Sequence, residues 1–465
     1  MAEKRDLIII GGGPGGYVAG LRAAQLKRRV LLVEEDRVGG TCMNWGCIPT
    51  KFLLHQTKLF WELRENKRFG GAVEQLICDW KLVQAGRVKV VDRLVKGTEF
   101  LLQKAKVETI KGRARLLDEK RVSVAEAGGE NVFEAERIIL ATGSRSSDLP
   151  FLKPDGRKVI TSREALELEA IPESLLVVGA GAIGLELGTI YARLGTTVTV
   201  LELLPTILPG CDREMGTRLE RILKTQGLAI FTQMRIDRAE EADGRMKLSG
   251  LCLKTKAVFS YEAEKVLLAV GRRPNSDTFQ TQTGIVPLEK GFVAVDKKLR
   301  TKLPGIYAIG DLIGGKLLAH KASHEGLTAV ENAFGADKTM DYSALPLAVF
   351  TEPEFASVGL TEEEARERGI ACQVGHFSLQ ANGRALTMDR PEGMVKLIAG
   401  PDDTLLGAHL LAPSASDLVA ELTLAIRNKL KLEDVSSTIH IHPTLSEAVM
   451  EAALQAKGLA LHALN

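Results

Sequence analysis

Leu7-Ile8-Ile9-Ile10 runs directly into the glycine-rich stretch Gly11-Gly12-Gly13-Pro14-Gly15-Gly16. A short, wholly apolar run is typical of a strand that is buried on both faces. The next residues, Tyr17 to Leu26, have the composition of a helix, and a second apolar run ends at the acidic residue Glu34. This order of strand, glycine turn, helix, strand and acid predicts a βαβ unit that binds a dinucleotide.

Three glycines of the turn have separate predicted roles. Gly11 permits the tight turn, Gly13 lets the backbone approach a pyrophosphate, and Gly16 lets the helix pack closely on the strand. The N-terminus of the helix then faces the phosphates. Glu34 follows Gly16 at close to the roughly 20-residue distance expected of an acid that bonds a ribose hydroxyl. The alternative is a glycine-rich turn in some other α/β protein, and the complete pattern favours dinucleotide binding.

A second copy of this pattern lies in the middle of the chain. Its first strand is predicted at Leu175 to Val178, its helix at Leu185 to Leu194, and its second strand at Thr197 to Leu201, which ends at the acid Glu202. A carboxylate at this position bonds a free ribose 2′-hydroxyl and repels a 2′-phosphate, so the second site favours NAD over NADP. The glycines of the second turn are Gly179, Gly181 and Gly184.

Two cysteines, Cys42 and Cys47, lie between the two nucleotide patterns and are followed by Lys51. Residues four to five positions apart face the same side of one helical turn, so we expect the two sulfurs to meet. On its own, such a pair is better explained as a structural disulfide or as two buried thiols. Its place between two nucleotide sites instead favours a redox pair that stores two electrons.

The C-terminal region contains the motif His440-Ile441-His442-Pro443-Thr444-Leu445-Ser446-Glu447, with a helix predicted from Leu445 to Leu461. Proline is favoured at a helix start, which places His442 on the entry loop and Glu447 in the first turns. A carboxylate that pairs with an imidazole orients the ring and raises its basicity, so this pattern favours His442 as a catalytic base. For His440 we expect a residue that is satisfied by ordinary neighbours.

Another buried strand, Ile306 to Ile309, ends in Gly310 and Asp311. An acid at the carboxyl end of a strand in an open α/β sheet is expected to contact a ligand. The alternative role for Asp311 is a helix N-cap. Two other apolar strands end in the same way, at Gly143 and Gly271.

The composition is that of an ordinary globular protein, and the formal net charge of +2 gives no indication of nucleic-acid or membrane binding. Six cysteines in 465 residues do not make a disulfide scaffold, and isolated thiols suit a reducing compartment. No targeting segment and no apolar run of membrane-spanning length is seen. We therefore expect a cytoplasmic protein, and we predict no metal site.

Together, these motifs resemble the flavin disulfide reductases over nearly the whole chain. The resemblance implies an α/β fold with two Rossmann-like dinucleotide-binding domains plus an α+β C-terminal dimerisation domain. The expected domains are an FAD-binding domain at residues 1–147, an NAD-binding domain at 148–272, a central domain that completes the FAD site at 273–343, and an interface domain at 344–465. The parts that carry it are Gly39 to Cys42, Gly46 to Lys51, the His442-Pro443-Thr444 motif with Glu447, and Ala381-Asn382-Gly383-Arg384-Ala385, which looks like the lipoamide branch in particular.

The resemblance also implies two cofactors, with FAD at the first nucleotide pattern and NAD at the second. Lys51 is expected near the flavin and paired with Glu186, while Asp311 is expected to bind the ribityl chain. The residues expected to bind FAD are Gly11, Gly13, Gly16, Glu34, Thr41, Lys51, Ala114, Gly143, Asp311 and Ala319. Those expected to bind NAD are Gly179, Gly181, Gly184, Glu202 and Gly271.

The activity that the resemblance implies is oxidation of protein-bound dihydrolipoamide through a Cys42–Cys47 redox disulfide and FAD, with hydride transfer to NAD⁺. The family forms obligate homodimers, so His442, held by Glu447, is expected to serve the cysteine pair of the other subunit. The lipoyl group is expected on a partner protein. That partner is the acyltransferase component of a 2-oxoacid dehydrogenase complex or the lipoyl protein of glycine cleavage.

Several related proteins fit the sequence less well. An enzyme similar to glutathione reductase needs NADP, which Glu202 disfavours. Mercuric reductases carry a C-terminal cysteine pair, whereas no cysteine follows Cys372 here, and soluble transhydrogenases lack the redox pair. A non-catalytic FAD-binding assembly subunit has no need for both cysteines together with Lys51, His442 and Glu447.

Overall fold

The computed structural model describes residues 3–65, 76–277 and 288–464. Its helices are α1 (Pro14–Gln25), α2 (Gly40–Trp45), α3 (Cys47–Glu65), α4 (Trp80–Lys104), α5 (Ser162–Leu166), α6 (Ala182–Arg193), α7 (Arg213–Thr225), α8 (Ala319–Ala333), α9 (Glu362–Glu367), α10 (Gly383–Thr387), α11 (Ala415–Arg427), α12 (Leu432–Ser436) and α13 (Glu447–Ala456), with short 3₁₀ helices at Gly310–Ile313 and Leu379–Ala381. Its strands are β1 (Glu3–Ile10), β2 (Val30–Glu34), β3 (Glu108–Lys111), β4 (Arg113–Leu116), β5 (Arg121–Glu126), β6 (Gly129–Leu140), β7 (Ser144–Ser146), β8 (Val159–Ile160), β9 (Ser174–Val178), β10 (Thr197–Leu201), β11 (Leu228–Phe231), β12 (Met234–Ala242), β13 (Arg245–Cys252), β14 (Val258–Ala263), β15 (Lys265–Leu268), β16 (Arg272–Pro274), β17 (Leu288–Glu289), β18 (Phe292–Val293), β19 (Ile306–Ala308), β20 (Leu347–Val349), β21 (Glu354–Gly359), β22 (Gln373–Ser378), β23 (Met394–Ala399) and β24 (Leu405–Ala412).

The chain divides into two compact units. The first consists of Met1–Leu53, Asp79–Ser147 and Gly271–Met340, and the second of Leu54–Cys78, Asp148–Val270 and Asp341–Asn465. The division falls within α3. In the part of the chain that the structure describes, no helix combines the length and the apolar character needed to cross a membrane.

The first unit is built around β1. This strand pairs in parallel with β2 on one side and with β6 on the other, so that Ile8 lies opposite both Leu31 and Ile138. β3 extends the sheet beyond β2, and β19 pairs in parallel with the end of β6. The first half of β6 pairs with the antiparallel strand β5, and β5 pairs in turn with the antiparallel strand β4. Leu7 to Ile9 are fully buried, which confirms the prediction of a strand covered on both faces.

Helix α1 follows the glycine turn and begins at Pro14, earlier than the predicted start at Tyr17. It packs against α8 at very short range, since a Cβ atom added at Gly326 of α8 would lie 2.5 Å from the carbonyl oxygen of Gly15. Further along the same two helices, Arg22 donates hydrogen bonds to the Glu331 carboxylate at 2.7 and 3.0 Å. The two helices are therefore fixed in position relative to each other.

The second unit contains two main sheets. Strands β11, β10, β9, β15 and β8 form a parallel sheet, with Val177 of β9 opposite Val200 of β10 and Leu267 of β15. Strands β20, β21, β24, β23 and β22 form an antiparallel sheet, and α11 and α13 contribute Leu422 and Val449 to its buried core. A smaller antiparallel sheet of β12, β13 and β14 was not predicted. The predicted helix Leu185–Leu194 corresponds to α6, and the predicted strand Thr197–Leu201 to β10.

A buried lysine, Lys396 on β23, forms the centre of an ionic cluster in the second unit. Its Nζ lies 2.9 Å from Asp212 Oδ2, 2.8 Å from Glu362 Oε2 and 3.3 Å from Glu214 Oε2, and the side chains of Lys396 and Asp212 are 2% and 0% exposed. Burial acts to raise the pKa of Asp212, but the neighbouring His409 and Lys396 hold it below its ordinary value. The cluster therefore connects the start of α7 to the antiparallel sheet, because the buried cation of Lys396 and the carboxylates around it neutralise one another.

We expect Lys396→Met to lower the free energy of unfolding by about 3–5 kcal/mol, because it leaves the Asp212 carboxylate buried without its cation. Urea unfolding at neutral pH measures this loss. A group with a depressed pKa in the folded state gives stability that is present above its unfolded pKa and lost as the pH falls. The difference between the variant and the wild type should therefore shrink in acid, as the carboxylate of Asp212 takes up a proton.

Lys224→Met is the matched control for this experiment. Lys224 Nζ lies 2.7 Å from Glu220 Oε1 on the surface of α7, and its side chain is 46% exposed. An exposed pair of this kind contributes about 0.3–0.5 kcal/mol. Equal losses of stability in the two variants would contradict the role given to the buried cluster.

Candidate functional site

The first glycine turn has the geometry that dinucleotide binding requires. Gly11 adopts a φ of +106°, and a Cβ atom there would lie 2.3 Å from the carbonyl oxygen of Ala141. A Cβ atom at Gly16 would lie 1.8 Å from the Gly11 carbonyl oxygen, whereas the nearest atom to one at Gly13 is the Cα of Gly40, at 3.9 Å. The first and third glycines thus permit close backbone packing, and the second leaves its face open beside the N-terminus of α1, where a pyrophosphate can bind.

Glu34 braces this turn from the end of β2. Its Oε2 accepts a hydrogen bond from the backbone N–H of Gly12 at 2.6 Å, and its Oε1 accepts one from the N–H of Asp36 at 2.9 Å. Burial raises the pKa of Glu34, against these two hydrogen bonds. Each carboxylate oxygen can accept a further hydrogen bond, so the side chain can also bind a ribose hydroxyl.

The second glycine turn repeats this arrangement atom for atom. A Cβ atom at Gly179 would lie 2.5 Å from the Ala269 carbonyl oxygen and one at Gly184 would lie 2.1 Å from the Gly179 carbonyl oxygen, while one at Gly181 would meet no atom within 4 Å. The buried Glu202 accepts hydrogen bonds from the N–H of the residue after the first glycine, at 2.7 Å, and from the N–H two residues after itself, at 2.8 Å. Both turns therefore fit a dinucleotide by the same construction.

The two cysteines lie on two consecutive helices, α2 and α3. The expectation that a single helical turn carries both of them was wrong. Gly46 separates α2 from α3 with φ −141° and ψ −114°, and a Cβ atom there would lie 2.7 Å from the carbonyl oxygen of Thr41. The break still leaves the sulfurs close together, since a side-chain hydrogen bond with Cys47 is the main contact that raises the pKa of the Cys42 thiol. Both residues are thiols in this structure, and Cys47 is exposed.

The cysteine stretch lies directly against the first glycine turn. The N–H of Gly39 donates a hydrogen bond to the Gly12 carbonyl at 2.8 Å, and a Cβ atom at Gly40 would lie 2.8 Å from the Cα of Gly13. The pair is therefore held next to the place where the first dinucleotide would bind. Thr41, the second residue of α2, lies in the same segment, half-buried.

The surroundings of the pair act on the pKa of the Cys42 thiol in opposite directions. Hydrogen bonding with Cys47 and burial raise the pKa of the Cys42 thiol, while the positive charge of Lys51 acts in the opposite direction. Two thiols in contact cannot both ionise readily, because the first thiolate disfavours the second. Arg272 adds a second cation, since its interactions with Asp311 and Cys47 oppose the lowering of its pKa by burial.

Asp311 lies in the first turn of a 3₁₀ helix whose N-cap is Ile309, so it does not act as the N-cap. Its Oδ2 accepts a hydrogen bond from the Ser144 hydroxyl. Arg272 donates from Nε to the Ser144 hydroxyl and from Nη2 to the Ser144 carbonyl, both at 2.7 Å. Ser144 and Arg272 were not predicted as site residues, although each directly follows a glycine at a predicted strand end, Gly143 or Gly271.

The other predicted cofactor residues lie at ends and edges of elements. Gly143 precedes β7 with a φ of +67°, and Gly271 precedes β16 with a φ of +117°. Ala319 is the first residue of α8, and Ala114 is buried on β4 opposite Val124.

Glu186 is buried on α6, where its Oε1 accepts a hydrogen bond from the N–H of Phe350 at 2.9 Å. Lys51, its expected partner, belongs to α3 in the first unit, whereas Glu186 belongs to the second. Their pairing stays a prediction.

His442 and Glu447 are paired in the second unit, at the start of α13. The Nδ1 of His442 lies 2.8 Å from Glu447 Oε1, and Glu447 Oε2 accepts a hydrogen bond from the N–H of Thr444 at 2.7 Å. Burial acts to raise the pKa of Glu447, but the hydrogen bonds from Thr444 and His442 lower it overall. The imidazole is 80% exposed and has its Nε2 side directed away from the carboxylate. The pair can thus hold a proton at an accessible surface.

A further residue supports this pair. Asn382 is buried, and its side-chain amide donates a hydrogen bond to the Thr444 carbonyl at 3.0 Å while its side-chain oxygen caps α10. The sequence contained a signal for it in the Ala381 to Ala385 motif, but no role was predicted. His440 is bonded to the Thr438 carbonyl and to Glu421, which confirms that it is satisfied by ordinary neighbours. The described residues contain no cluster of three or more His, Cys, Asp and Glu side chains that could hold a metal ion.

The sequence is similar over its whole length to known dihydrolipoyl dehydrogenases. The sequence is 42% identical over 463 residues to a dihydrolipoyl dehydrogenase of Staphylococcus aureus, covering 99% of this chain and 98% of the relative. It is 41% identical over 467 residues to a dihydrolipoyl dehydrogenase of Geobacillus stearothermophilus, covering 100% of this chain and 98% of that one.

Solved structures are similar over the same length. LpdA from Mycobacterium tuberculosis superimposes with a TM-score of 0.88 at 28% identity, over 96% of this chain and 99% of that chain. The Cu(II) complex of the HOCl-induced flavoprotein disulfide reductase RclA from Escherichia coli gives a TM-score of 0.86 at 26% identity, over 97% and 99%.

Two family models match adjoining parts of the chain. The model described as pyridine nucleotide-disulphide oxidoreductase matches residues 5–326, and the one described as the dimerisation domain of the same family matches residues 345–453. The chain therefore belongs to the pyridine nucleotide-disulphide oxidoreductase family.

Proposed function

We propose that this protein is an NAD-dependent flavoenzyme that oxidises protein-bound dihydrolipoamide to lipoamide. The observation that carries the proposal is the contact between Cys42 and Cys47, which are hydrogen-bonded to each other beside the first glycine turn. A cysteine pair at a dinucleotide site can, as a disulfide, receive two electrons from a substrate dithiol, and the dithiol so formed can pass them on. Full-length similarity to dihydrolipoyl dehydrogenases supports the choice of substrate.

The glycine turns support FAD at the first site and NAD at the second. Gly11, Gly13, Gly16 and Glu34 would hold the nucleotide part of FAD, and Asp311 its ribityl chain. When bound, FAD carries two electrons from the dithiol to NAD⁺. The further FAD contacts that we propose are Thr41, Lys51, Ala114, Gly143 and Ala319, and those to NAD are Gly179, Gly181, Gly184, Glu202 and Gly271.

We propose the following domain boundaries from the positions of these sites. We assign residues 1–147 to FAD binding, 148–272 to NAD binding, 273–343 to completing the FAD site, and 344–465 to the subunit interface. Lys51 and Glu186 would pair between the FAD-binding and NAD-binding parts.

The protein groups carry out thiol–disulfide exchange. With the enzyme oxidised, His442 takes a proton from one substrate thiol, because only the thiolate attacks a disulfide. The thiolate bonds to the sulfur of Cys42, and the Cys42–Cys47 bond breaks with Cys47 leaving as a thiolate. The second substrate thiol then displaces the Cys42 sulfur and closes the lipoamide disulfide. The substrate has lost two electrons, and the cysteine pair has gained them.

Homodimer formation completes this site. Residues 345–453 match the dimerisation domain of the family, and His442 is exposed at the surface of that part. We propose that His442, oriented by Glu447, acts on the cysteine pair of the partner subunit. The lipoyl group would be carried by the acyltransferase component of a 2-oxoacid dehydrogenase complex or by the lipoyl protein of glycine cleavage, in the cytoplasm.

The first test is a steady-state assay of the purified, flavin-containing protein with dihydrolipoamide. We expect kcat/KM for NAD⁺ to exceed that for NADP⁺ by about 100-fold, because the Glu202 carboxylate meets the 2′-phosphate of NADP⁺ as a like charge. Cys42→Ser should abolish turnover and still retain FAD, because the sulfur that the substrate attacks is gone.

Cys372→Ser provides the control, since Cys372 is an isolated thiol in the C-terminal part of the chain and should tolerate the change with full activity. Full dihydrolipoamide turnover by Cys42→Ser would contradict the proposed function. A preference for NADP⁺ would contradict the role of Glu202 alone.

The second test concerns the histidine pair. His442→Gln should lower kcat by about 10²–10⁴-fold, because the substrate thiol loses its general base. Glu447→Gln should cause a smaller loss, since it keeps the shape of the side chain but removes the charge that orients and stabilises the imidazolium. Because the pKa of Glu447 is lowered, its carboxylate stays ionised at neutral pH, and its contribution is lost only as the pH falls into the acid range.

His440→Gln is the control. His440 lies two residues away, and its two ring nitrogens bond the Thr438 carbonyl and the Glu421 carboxylate. It should keep nearly the wild-type rate. An unchanged rate in His442→Gln would remove His442 from the reaction.

A further inference from the structure

A fully buried ion pair contacts both backbone polar groups of Gly310, the residue before Asp311. Lys321 and Glu325 lie one turn apart on α8, with side chains that are 4% and 0% exposed, and Lys321 Nζ lies 2.9 Å from Glu325 Oε1. The other oxygen, Glu325 Oε2, accepts a hydrogen bond from the N–H of Gly310 at 2.7 Å. Lys321 Nζ in turn donates to the Gly310 carbonyl at 3.3 Å. The contacts form a closed ring of three residues.

Gly310 lies where the chain leaves β19 and enters the 3₁₀ helix that contains Asp311. Gly310 has a φ of +75°, a conformation that glycine adopts without strain. The N–H of Ile309 still bonds the Leu140 carbonyl of β6 at 3.0 Å, and beyond this residue the chain leaves the sheet and turns, so that other contacts orient Gly310. The ion pair supplies one contact to each polar group of the glycine, and Asp311 follows directly in the sequence.

Helix α8 can serve as a reference point because it is itself fixed to α1. The close approach of Gly326 to the Gly15 carbonyl and the ion pair between Arg22 and Glu331 lock the two helices together. The N-terminus of α1 is the proposed binding place of the FAD pyrophosphate. The pair of Lys321 and Glu325 thus links the position of Asp311 to that of the pyrophosphate site.

Stability alone does not account for the pair. Two charges taken out of water lose much of their hydration, and replacing such a pair by apolar residues of similar volume is often neutral or stabilising. Removing one partner, by contrast, leaves an uncompensated buried charge. At this location the pair fixes the orientation of the backbone at Gly310. Each charged group forms its hydrogen bond only when the N–H or the carbonyl of Gly310 points toward it.

We propose that Lys321 and Glu325 are positioning residues that hold the peptide groups on both sides of Gly310 and thereby direct the Asp311 carboxylate toward the ribityl chain of FAD. The proposal rests on the proposed function, in that it takes FAD to be the ligand of the first glycine turn. On the other side of Asp311, the Ser144 hydroxyl and Arg272 complete the support. Asp311 is therefore held through its backbone by α8 and through its side chain by Ser144.

The test compares two double variants that remove the buried charges together. Lys321→Met with Glu325→Leu removes both contacts to Gly310, and we expect the dissociation constant for FAD to rise by about ten-fold or more, as for the loss of hydrogen bonds to charged groups. Lys321→Met with Glu325→Gln keeps an acceptor for the Gly310 N–H and should recover part of that affinity. FAD release is followed by flavin fluorescence, and the midpoint potential of the bound flavin by dye equilibration.

A purely structural role would lower the thermal midpoint of both double variants to the same extent and leave the potential of the bound flavin unchanged. We instead expect a shifted potential in the leucine variant and a smaller shift in the glutamine variant. Lys338→Met is the control, because Lys338 pairs with Glu331 at the exposed end of α8 and should change neither quantity. Wild-type FAD affinity and potential in the leucine variant, or equal losses in both variants, would overturn the proposal.

Two further outcomes are decided by the same samples. If the leucine variant does not fold, the glutamine variant is compared directly with the wild type, and an unchanged FAD affinity and potential there overturns the proposal. If the wild-type protein binds no FAD, the proposed function fails first and the inference with it, which is evident from the colourless protein before any variant is compared.

Discussion

The close approach of two backbone segments at each glycine turn is the constraint on which the rest of the structure depends. The third glycine of each turn packs against the carbonyl of the first, at distances that would place a Cβ atom 1.8 Å away at Gly16 and 2.1 Å away at Gly184. Only glycine can occupy these positions, because any side chain would displace the helix from the sheet. Since the helix then begins directly above the strand end, its unpaired N–H groups converge where a pyrophosphate can bind.

The acidic residues after the second strand belong to the same construction. Glu34 and Glu202 each accept one hydrogen bond from the N–H that follows the first glycine and one from the N–H two residues after themselves. A carboxylate that holds the turn in this way keeps free lone pairs for a ribose hydroxyl. One side chain therefore shapes the turn and keeps acceptors for a nucleotide, which explains why a pattern of three glycines and a distant acid is so informative.

Local patterns made much of the fold and the site predictable. The two glycine turns, their helices and acids, the cysteine pair and the pairing of His442 with Glu447 could all be read from spacing, because each involves residues close in sequence. The helix break at Gly46 was not foreseen, since a glycine inside a helical pattern does not reveal which atoms crowd it. Asn382 and Arg272 were missed as site residues because their partners lie far away in the sequence.

The buried charges show why such long-range features escape a reading of the sequence. Lys396 and Lys321 look like surface residues in the sequence, because lysine is almost never buried without a partner. Each is buried here with its own carboxylates, at a desolvation cost that the ion pairs offset only if their geometry is right. In contrast, His442, the proposed base, is exposed, and Cys42, the sulfur proposed to react with substrate, is half-buried. A buried ion pair resists displacement because any movement of its members leaves a charge unpaired. The buried charges of Lys396 and Lys321 therefore serve to hold backbone and side chains in place, whereas the proposed base, His442, lies where a substrate thiol can reach it.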